Sequence, residues 1–225
     1  MKLDIYSALY TYIISSIIYE YIMYILLKGL KVDFIILTFI PAYLFWYVST
    51  IVKTNRYILL SFMIVLLNVF ISSYIIFMYI NAIEPELITS VVTTSQQILT
   101  THATVLSLSS EIFLNNIKID LVSFVPVAGP MALSIDVLYS GAIIWSSGIA
   151  GVVATMSMLS SFTELFSYSI SVAGSMLLYN VISTSIKNRT KIDFKQLKRP
   201  AIYLASSIIL LYVSAVLEAS WLIIR

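Results

Sequence analysis

Three carboxyl groups lie inside long apolar stretches and are the first candidates for chemistry. Glu20, Glu164 and Glu218 have no lysine, arginine or histidine directly beside them. An ionisable side chain at membrane depth costs ~2.5–3.5 kcal/mol on insertion scales, so it usually faces the interior of a helical bundle. We expect these carboxyl groups to be protonated, hydrogen-bonded to hydroxyl groups, or in contact with a wet cavity.

The acidic residue Glu164 begins a polar stripe. Four polar residues recur at a 4-3-4 spacing, which places them on one face of a helix. They are Glu164, Tyr168, Ser171 and Ser175. Contact with an ion, a proton or a substrate is one interpretation of the stripe. Interhelical hydrogen bonds, worth about 0.6–2 kcal/mol each, are the other.

A second polar region, EIFLNNIKIDLVSFVPVAGP at 111–130, combines amides, charges and helix breakers. Pro126 and Pro130 each remove a backbone donor, and Gly129 allows unusual backbone angles. The sequence therefore predicts a short or broken helix near 114–135. Broken helices are tolerated in a membrane where they pack in protein or face water, and they often mark transport sites.

The sequence also predicts positions for several other polar residues near the break. Asn115 and Asn116 can bond freed backbone groups or cap a half-helix. We expect Glu111, Lys118 and Asp120 at the outer end of the weak span, near the interface. Asp136 falls at a predicted inner turn.

The composition indicates an integral membrane protein. The chain has 225 residues, 60% hydrophobic and 11% charged, whereas soluble domains carry about 25% charged residues. A hydrocarbon core of ~30 Å needs ~20 apolar residues per helix. We predict an all-α fold, a polytopic transmembrane helical bundle of about seven spans (six to seven). The predicted spans are 6–27, 33–52, 57–80, 114–135, 137–158, 162–185 and 201–224.

Several functional classes are disfavoured by what the chain lacks. It has no cysteine and a single histidine, His102, which excludes thiol nucleophiles and Cys or His metal clusters. No phosphate-binding G-x-x-x-x-G-K-[ST] motif occurs, and a net charge of +2 gives no nucleic-acid signal. Asp136 and Glu164 are predicted near opposite membrane faces, which argues against a catalytic pair. We predict no enzyme activity, no cofactor and no metal.

Basic residues predict the orientation. Six of them cluster in one loop, which should be cytoplasmic. They are Lys187, Arg189, Lys191, Lys195, Lys198 and Arg199. The loop is a predicted docking surface for a separate ATPase or for anionic lipid, and topology alone also explains it. The protein is predicted in the cell membrane, multi-pass, with its N-terminus cytoplasmic and its C-terminus outside.

The distribution of polar residues predicts two parts. Residues 1–81 are expected to form a three-helix membrane anchor, and residues 82–225 a membrane core. Within the core, 82–112 is rich in serine and threonine and has no lysine or arginine. Its apolar residues recur near helical spacing, which predicts an outer amphipathic segment or an extracellular helical loop.

Four motifs in the second part carry a family resemblance. They are IFLNN (112–116), SFVPVAGP (123–130), LYSGAIIWSSG (138–148) and FTELFSYSISVAGS (162–175). In this order and spacing the chain resembles the stage II sporulation protein M family of integral membrane proteins, and an archaeal member is expected. The Pro-His pair that many bacterial members carry before the family's glutamate is replaced here by SSFTE.

The resemblance implies a polar core and its residues. Glu164 matches the family's glutamate, and the Asn-Asn pair, the break and the Tyr-Gly helix match the other motifs. Together with two further polar residues, the predicted core is Asn115, Asn116, Pro126, Gly129, Pro130, Asp136, Tyr139, Gly141, Glu164 and Tyr168.

Two functions remain open at this level. The first is a non-enzymatic scaffold or subunit of a membrane complex, with other membrane proteins or further copies of the chain as partners in the lipid bilayer. The second is a transporter or channel component with a polar site around Glu164 and the break at Pro126–Pro130, energised by a gradient or a separate ATPase.

Overall fold

A computed structural model describes residues 5–27, 34–51, 56–83, 104–146 and 148–224. These ranges are helical and contain no strand, which confirms the all-α prediction. The elements are α1 (Ile5–Leu27), α2 (Phe34–Ile51), α3 (Tyr57–Leu67), a π-helical segment (Asn68–Ser72), α4 (Ser73–Ile83), α5 (Val105–Ser123), α6 (Ala128–Trp145), α7 (Gly148–Ser157), α8 (Leu159–Asn188) and α9 (Phe194–Ile224).

Within the ranges that the structure describes, four helices are long and apolar enough to cross a membrane. They are Tyr57–Asn81, Ala128–Trp145, Leu159–Asn188 and Phe194–Ile223. Large apolar side chains on the outer face of α9, among them Ile202, Ile209 and Val213, are exposed, as expected for a surface that meets lipid. The total of seven spans, the multi-pass placement and the orientation stay predictions.

The helices pack around one buried apolar cluster. Helix α9 packs along α8 and α5, α2 and α4 pack on α6, and α3 packs on α8. The cluster includes Tyr12, Phe45, Leu60, Ile64, Leu133, Val137, Val172 and Leu211. Its members come from both sides of residue 82. The division into an anchor and a core stays a prediction.

The predicted span boundaries near 114–135 and 137–158 are wrong. One helix, α5, ends at Ser123, and the next, α6, runs through the predicted gap at 136. Proline is tolerated in the first turn of a helix, where its missing N–H has no partner to lose. Pro130 therefore belongs to the first turn of α6. The predicted break itself is present between Ser123 and Ala128, and a second interruption comes before Gly148, which has φ +74°.

The predicted outer segment 82–112 lies largely outside the described residues, which omit 84–103. Its last part is the beginning of α5. Thr104 caps this helix, since its Oγ1 accepts a hydrogen bond of 3.2 Å from the N–H of Ser107. Helix α5 then runs without a break across the boundary at 112.

A π-helical segment interrupts the first long span and was not expected from the sequence. Asn68 lies at its start, is fully buried, accepts a hydrogen bond from the hydroxyl of Tyr12 and donates one of 3.0 Å to Ser134 Oγ. Trp145 Nε1 donates to the backbone carbonyl of Val69 at 3.2 Å. These bonds tie α1 and α6 to the segment.

Candidate functional site

A cavity of about 210 Å³ lies among α6, α7, α8, α9 and the π-helical segment. Three carboxyl-bearing residues line it, namely Asp136, Glu164 and Glu218. Its other polar lining residues are Ser140, Thr155, Ser161 and Tyr168. The described lining includes no lysine, arginine or histidine, and the rest of it is apolar, with Val69, Val137, Ile144 and Leu165.

Three helices bring these carboxyl groups together. Asp136 lies in the middle of α6, Glu164 near the start of α8 and Glu218 near the end of α9. Since α8 and α9 pack along each other, the beginning of one meets the end of the other. Close packing also holds α6 against α4, because a Cβ on Gly141 would lie 2.6 Å from Ser73 Oγ.

Glu164 is held from two directions. Its Oε1 accepts a hydrogen bond of 2.9 Å from Asn116 Nδ2 and another of 2.9 Å from the Tyr168 hydroxyl. Among the described residues, Oε2 has no hydrogen-bond partner. Two donors on one oxygen fix the orientation of the carboxyl group, and the other oxygen stays available to a ligand.

The predicted polar stripe on α8 divides into two halves. Glu164 and Tyr168 contact the cavity. Further along, Ser171 Oγ donates to the backbone carbonyl of Asp120 at 2.7 Å, and Ser175 Oγ donates to that of Val125 at 3.0 Å. The first half therefore supports the interpretation as a binding face, and the second half supports interhelical hydrogen bonding.

The break between α5 and α6 is a tight turn. Val127 has φ 72° and ψ −58°, and the N–H of Ala128 donates to the carbonyl of Pro126 at 2.9 Å. These are the features of a γ-turn with its strained central residue. A Cβ on Gly129 would lie 2.1 Å from the Ser123 carbonyl oxygen, so only glycine fits there.

The structure separates the residues of the predicted polar core. Pro126, Gly129 and Pro130 form the turn and the first turn of α6, away from the cavity lining. Asn115 is exposed, whereas its neighbour Asn116 contacts Glu164. Gly141 lines the cavity, and Tyr139 is half-buried outside the lining. The assignment of these residues to a functional site stays a prediction.

The predicted separation of two carboxyl groups is wrong. Asp136 and Glu164 were expected near opposite membrane faces, but they line the same cavity. The reason is that α6 begins at Ala128, which places Asp136 within the helix and not at a turn. Asp120 has no exposed surface, because α8 and α9 cover this side of α5, and its depth near the membrane interface stays a prediction.

Some lining residues were not predicted from the sequence. Ser140, Thr155 and Ser161 are small hydroxyl residues in apolar helices. Whether their side chains reach the cavity depends on how the helices pack. Glu218 was named as an intramembrane acid, but its place at the same cavity as Glu164 was not predicted. The two residues lie on different helices, α9 and α8, and local spacing does not relate them. Glu20 lies in α1, and its side chain is outside the part of the chain that is described.

Since Asp136 and Glu164 line one cavity, their positions no longer speak against a catalytic carboxyl pair. The absence of enzyme activity stays a prediction. Within the described ranges, no group of three His, Cys, Asp or Glu residues is arranged to hold a metal ion. The expectation that the protein uses no metal and no cofactor also stays a prediction.

The basic loop forms the exposed tip of the α8–α9 hairpin. Arg189 ends α8 in the left-handed conformation with φ 53°, and the N–H of Thr190 donates to the Ser185 carbonyl at 3.0 Å, as in a Schellman motif. All six predicted docking residues are exposed. Phe194, at 87% exposure, and Ile186, at 72%, lie among them.

No family model, no curated protein and no solved structure matches this chain. The resemblance to the stage II sporulation protein M family and the expected archaeal origin stay predictions.

Proposed function

We propose that this protein is a membrane transport component that binds a small cation in the carboxyl-lined cavity. The observation that supports the proposal is the meeting of Asp136, Glu164 and Glu218 around one space whose described lining has no basic side chain. Acidic side chains inside a membrane bundle usually mark ion or proton pathways. Like charges that share a site also favour the uptake of a cation or proton.

The size of the cavity fits a small hydrated or organic cation. Its volume of about 210 Å³ is well above the ~10–15 Å³ that one water molecule needs. Hydroxyl groups of Ser140, Thr155 and Ser161 can replace part of a cation's water shell. Glu164 Oε2 is the atom best placed to bind the charge, because Asn116 and Tyr168 hold the other oxygen.

Cation flux into liposomes tests the proposal. The purified protein is reconstituted into liposomes, and a proton, sodium, potassium or ammonium gradient is applied in separate experiments. Flux is followed with ion-sensitive dyes. We expect flux of one of these cations above that of protein-free liposomes. The cation flux of the Glu164→Gln variant should be lower than that of wild type by about tenfold or more, because a hydrogen bond to a charged group is worth ~1.5–3 kcal/mol.

A matched control makes the same chemical change elsewhere. Glu111 lies on α5 and does not line the cavity, so Glu111→Gln should keep the wild-type rate. Equal rates for wild type and Glu164→Gln, or no flux of any cation tested, would contradict the proposal.

A scaffold or complex subunit is the second candidate, and the hairpin tip favours it. Phe194 and Ile186 are exposed apolar side chains surrounded by lysine and arginine, a combination that suits a partner protein's acidic surface with an apolar centre. Purification from the native host in mild detergent tests this function. A stoichiometric partner that is lost in Phe194→Ser supports the scaffold, and a protein that purifies alone counts against it.

A further inference from the structure

Asp120 is a buried carboxyl group outside the cavity. It has no exposed surface, and its Oδ2 lies 2.8 Å from Ser207 Oγ of α9. Its Oδ1 is buried and has no hydrogen-bond partner. The residue does not line the cavity, so the proposed cation site does not explain it.

The surroundings of Asp120 offer no counter-charge. Helix α9 presents Ser207, and α8 presents Ser171 and Tyr168. The carboxyl group of α6, Asp136, lines the cavity, and Lys118 on α5 itself is exposed. No basic side chain among the described residues pairs with Asp120. An ionised carboxylate buried in this way is unfavourable by several kcal/mol.

The hydrogen bonds around Asp120 accommodate a neutral acid as well as a carboxylate. Ser207 Oγ lies 2.8 Å from Asp120 Oδ2 and 2.9 Å from the Leu204 carbonyl oxygen. A serine hydroxyl has one proton to donate, and a carbonyl oxygen can only accept. If Ser207 donates to Leu204, Asp120 has to donate to Ser207, which requires a protonated carboxyl group. With an ionised Asp120, one of the two contacts lacks a proton.

We propose that Asp120 is a proton-binding site at the contact of α5 with α9, separate from the cavity. The proton lies on Oδ2 and is donated to Ser207 Oγ while the two helices stay packed. When they part, water reaches the carboxyl group, the Oδ2–H bond breaks, and water accepts the proton, leaving a carboxylate. Repacking takes one proton back. Closure of this contact is therefore coupled to proton uptake.

Burial of the carboxyl group also favours the protonated form of Asp120. Helix α5 is not among the four candidate membrane spans, and burial raises the pKa of Asp120 to about 6, with hydrogen bonds from Ser207 and Ser171 opposing the shift. An exposed aspartate has a pKa of ~3.9. At mildly acidic pH, Asp120 should thus keep a proton that an exposed aspartate has lost.

Infrared spectroscopy of the full chain in detergent tests the site. At mildly acidic pH, carbon-13 labelling of aspartate separates its acid carbonyl band from the bands of glutamate. We expect an aspartic acid band that disappears in Asp120→Asn and persists in Asp136→Asn. An identical set of acid bands in wild type and Asp120→Asn would overturn the proposal.

A second variant covers the case in which Asp120→Asn does not fold. Ser207→Ala removes the acceptor of the acid proton, so the Asp120 band should shift to higher frequency. If no acid band moves in Ser207→Ala, the proposal is wrong. Both measurements are independent of cation flux, so failure of the transport proposal leaves them intact.

Discussion

Glu164 and Asp120 are two carboxyl groups in one helical bundle, and their surroundings differ. Glu164 accepts hydrogen bonds from an amide and a phenol and borders a cavity. Asp120 lies beside the hydroxyl groups of Ser207 and Ser171, each of which also contacts a backbone carbonyl, and it does not line that cavity. Asn116, which holds Glu164, is one helical turn from Asp120 on α5.

This difference shows how neighbours decide the role of a buried acid. Donors directed at one oxygen of Glu164 orient the carboxyl group toward a space that a cation can fill. The Ser207 hydroxyl beside Asp120 also contacts a backbone carbonyl, so a protonated Asp120 can donate to it while it donates to that carbonyl. We therefore assign cation binding to the first and proton storage to the second.

The largest expected contrast is in cation flux. Glu164→Gln should lower flux by about tenfold or more, whereas Asp120→Asn should stay within about twofold of wild type at neutral pH, because its amide can donate to Ser207 in place of the acid. Both variants are measured in the same liposome preparation. A loss in Asp120→Asn as large as that in Glu164→Gln would mean that the two carboxyl groups belong to one pathway.

Removal of the serine beside Asp120 should reduce stability. Ser207→Ala leaves a buried acid without its hydrogen bond, which costs about 1–3 kcal/mol of unfolding free energy. Thermal unfolding in detergent measures the loss. Ser206→Ala is the control, since Ser206 is the exposed neighbour on α9 and should unfold like wild type. Equal stability of the two variants would contradict the assigned role of Ser207.

Removal of one donor to Glu164 should weaken the cation site without abolishing it. Tyr168→Phe deletes a single hydrogen bond of about 0.5–1.5 kcal/mol, while Asn116 keeps the other. Flux should fall by roughly two- to tenfold. A liposome assay at several cation concentrations shows whether binding is weakened. Unchanged flux would show that the Tyr168 hydroxyl does not position Glu164.

The smallest effect is expected in the second half of the polar stripe. Ser171→Ala and Ser175→Ala each remove one interhelical hydrogen bond, with an average worth of ~0.6 kcal/mol. Unfolding in detergent should change slightly, and flux should not change. A clear loss of flux in Ser175→Ala would extend the cation pathway along α8 and remove the division of the stripe.

Local sequence patterns gave part of this arrangement. Helix geometry alone places four residues on one face, and the structure has all four on the single helix α8. They are Glu164, Tyr168, Ser171 and Ser175. The pairing of Glu164 with Asn116 joins residues 48 positions apart, and spacing alone does not determine it. The family resemblance placed both residues in one polar core without giving their contact.

The errors have a common physical source. Proline and glycine at 126–130 were interpreted as breakers inside one span, although Pro130 is compatible with the first turn of α6. Because α6 begins at Ala128, earlier than predicted, Asp136 lies within a helix and not at a turn, and it lines the cavity. The burial of Asp120 depends on α8 and α9, which follow it by dozens of residues in the chain, and no local pattern signals such packing.

The π-helical segment has a consequence for the kinds of sequence change this region can accept. A π turn closes with one residue more than an α turn, so the segment sets the rotational phase of everything that follows. Deleting one residue between 68 and 72 would let the turn close as an α turn and would keep the direction in which α4 faces, whereas inserting one residue would turn α4 by about 100°. Ile76, Tyr79 and Ile80, now buried, would rotate out of contact. Lengthening this segment by one residue is therefore more damaging than shortening it by one.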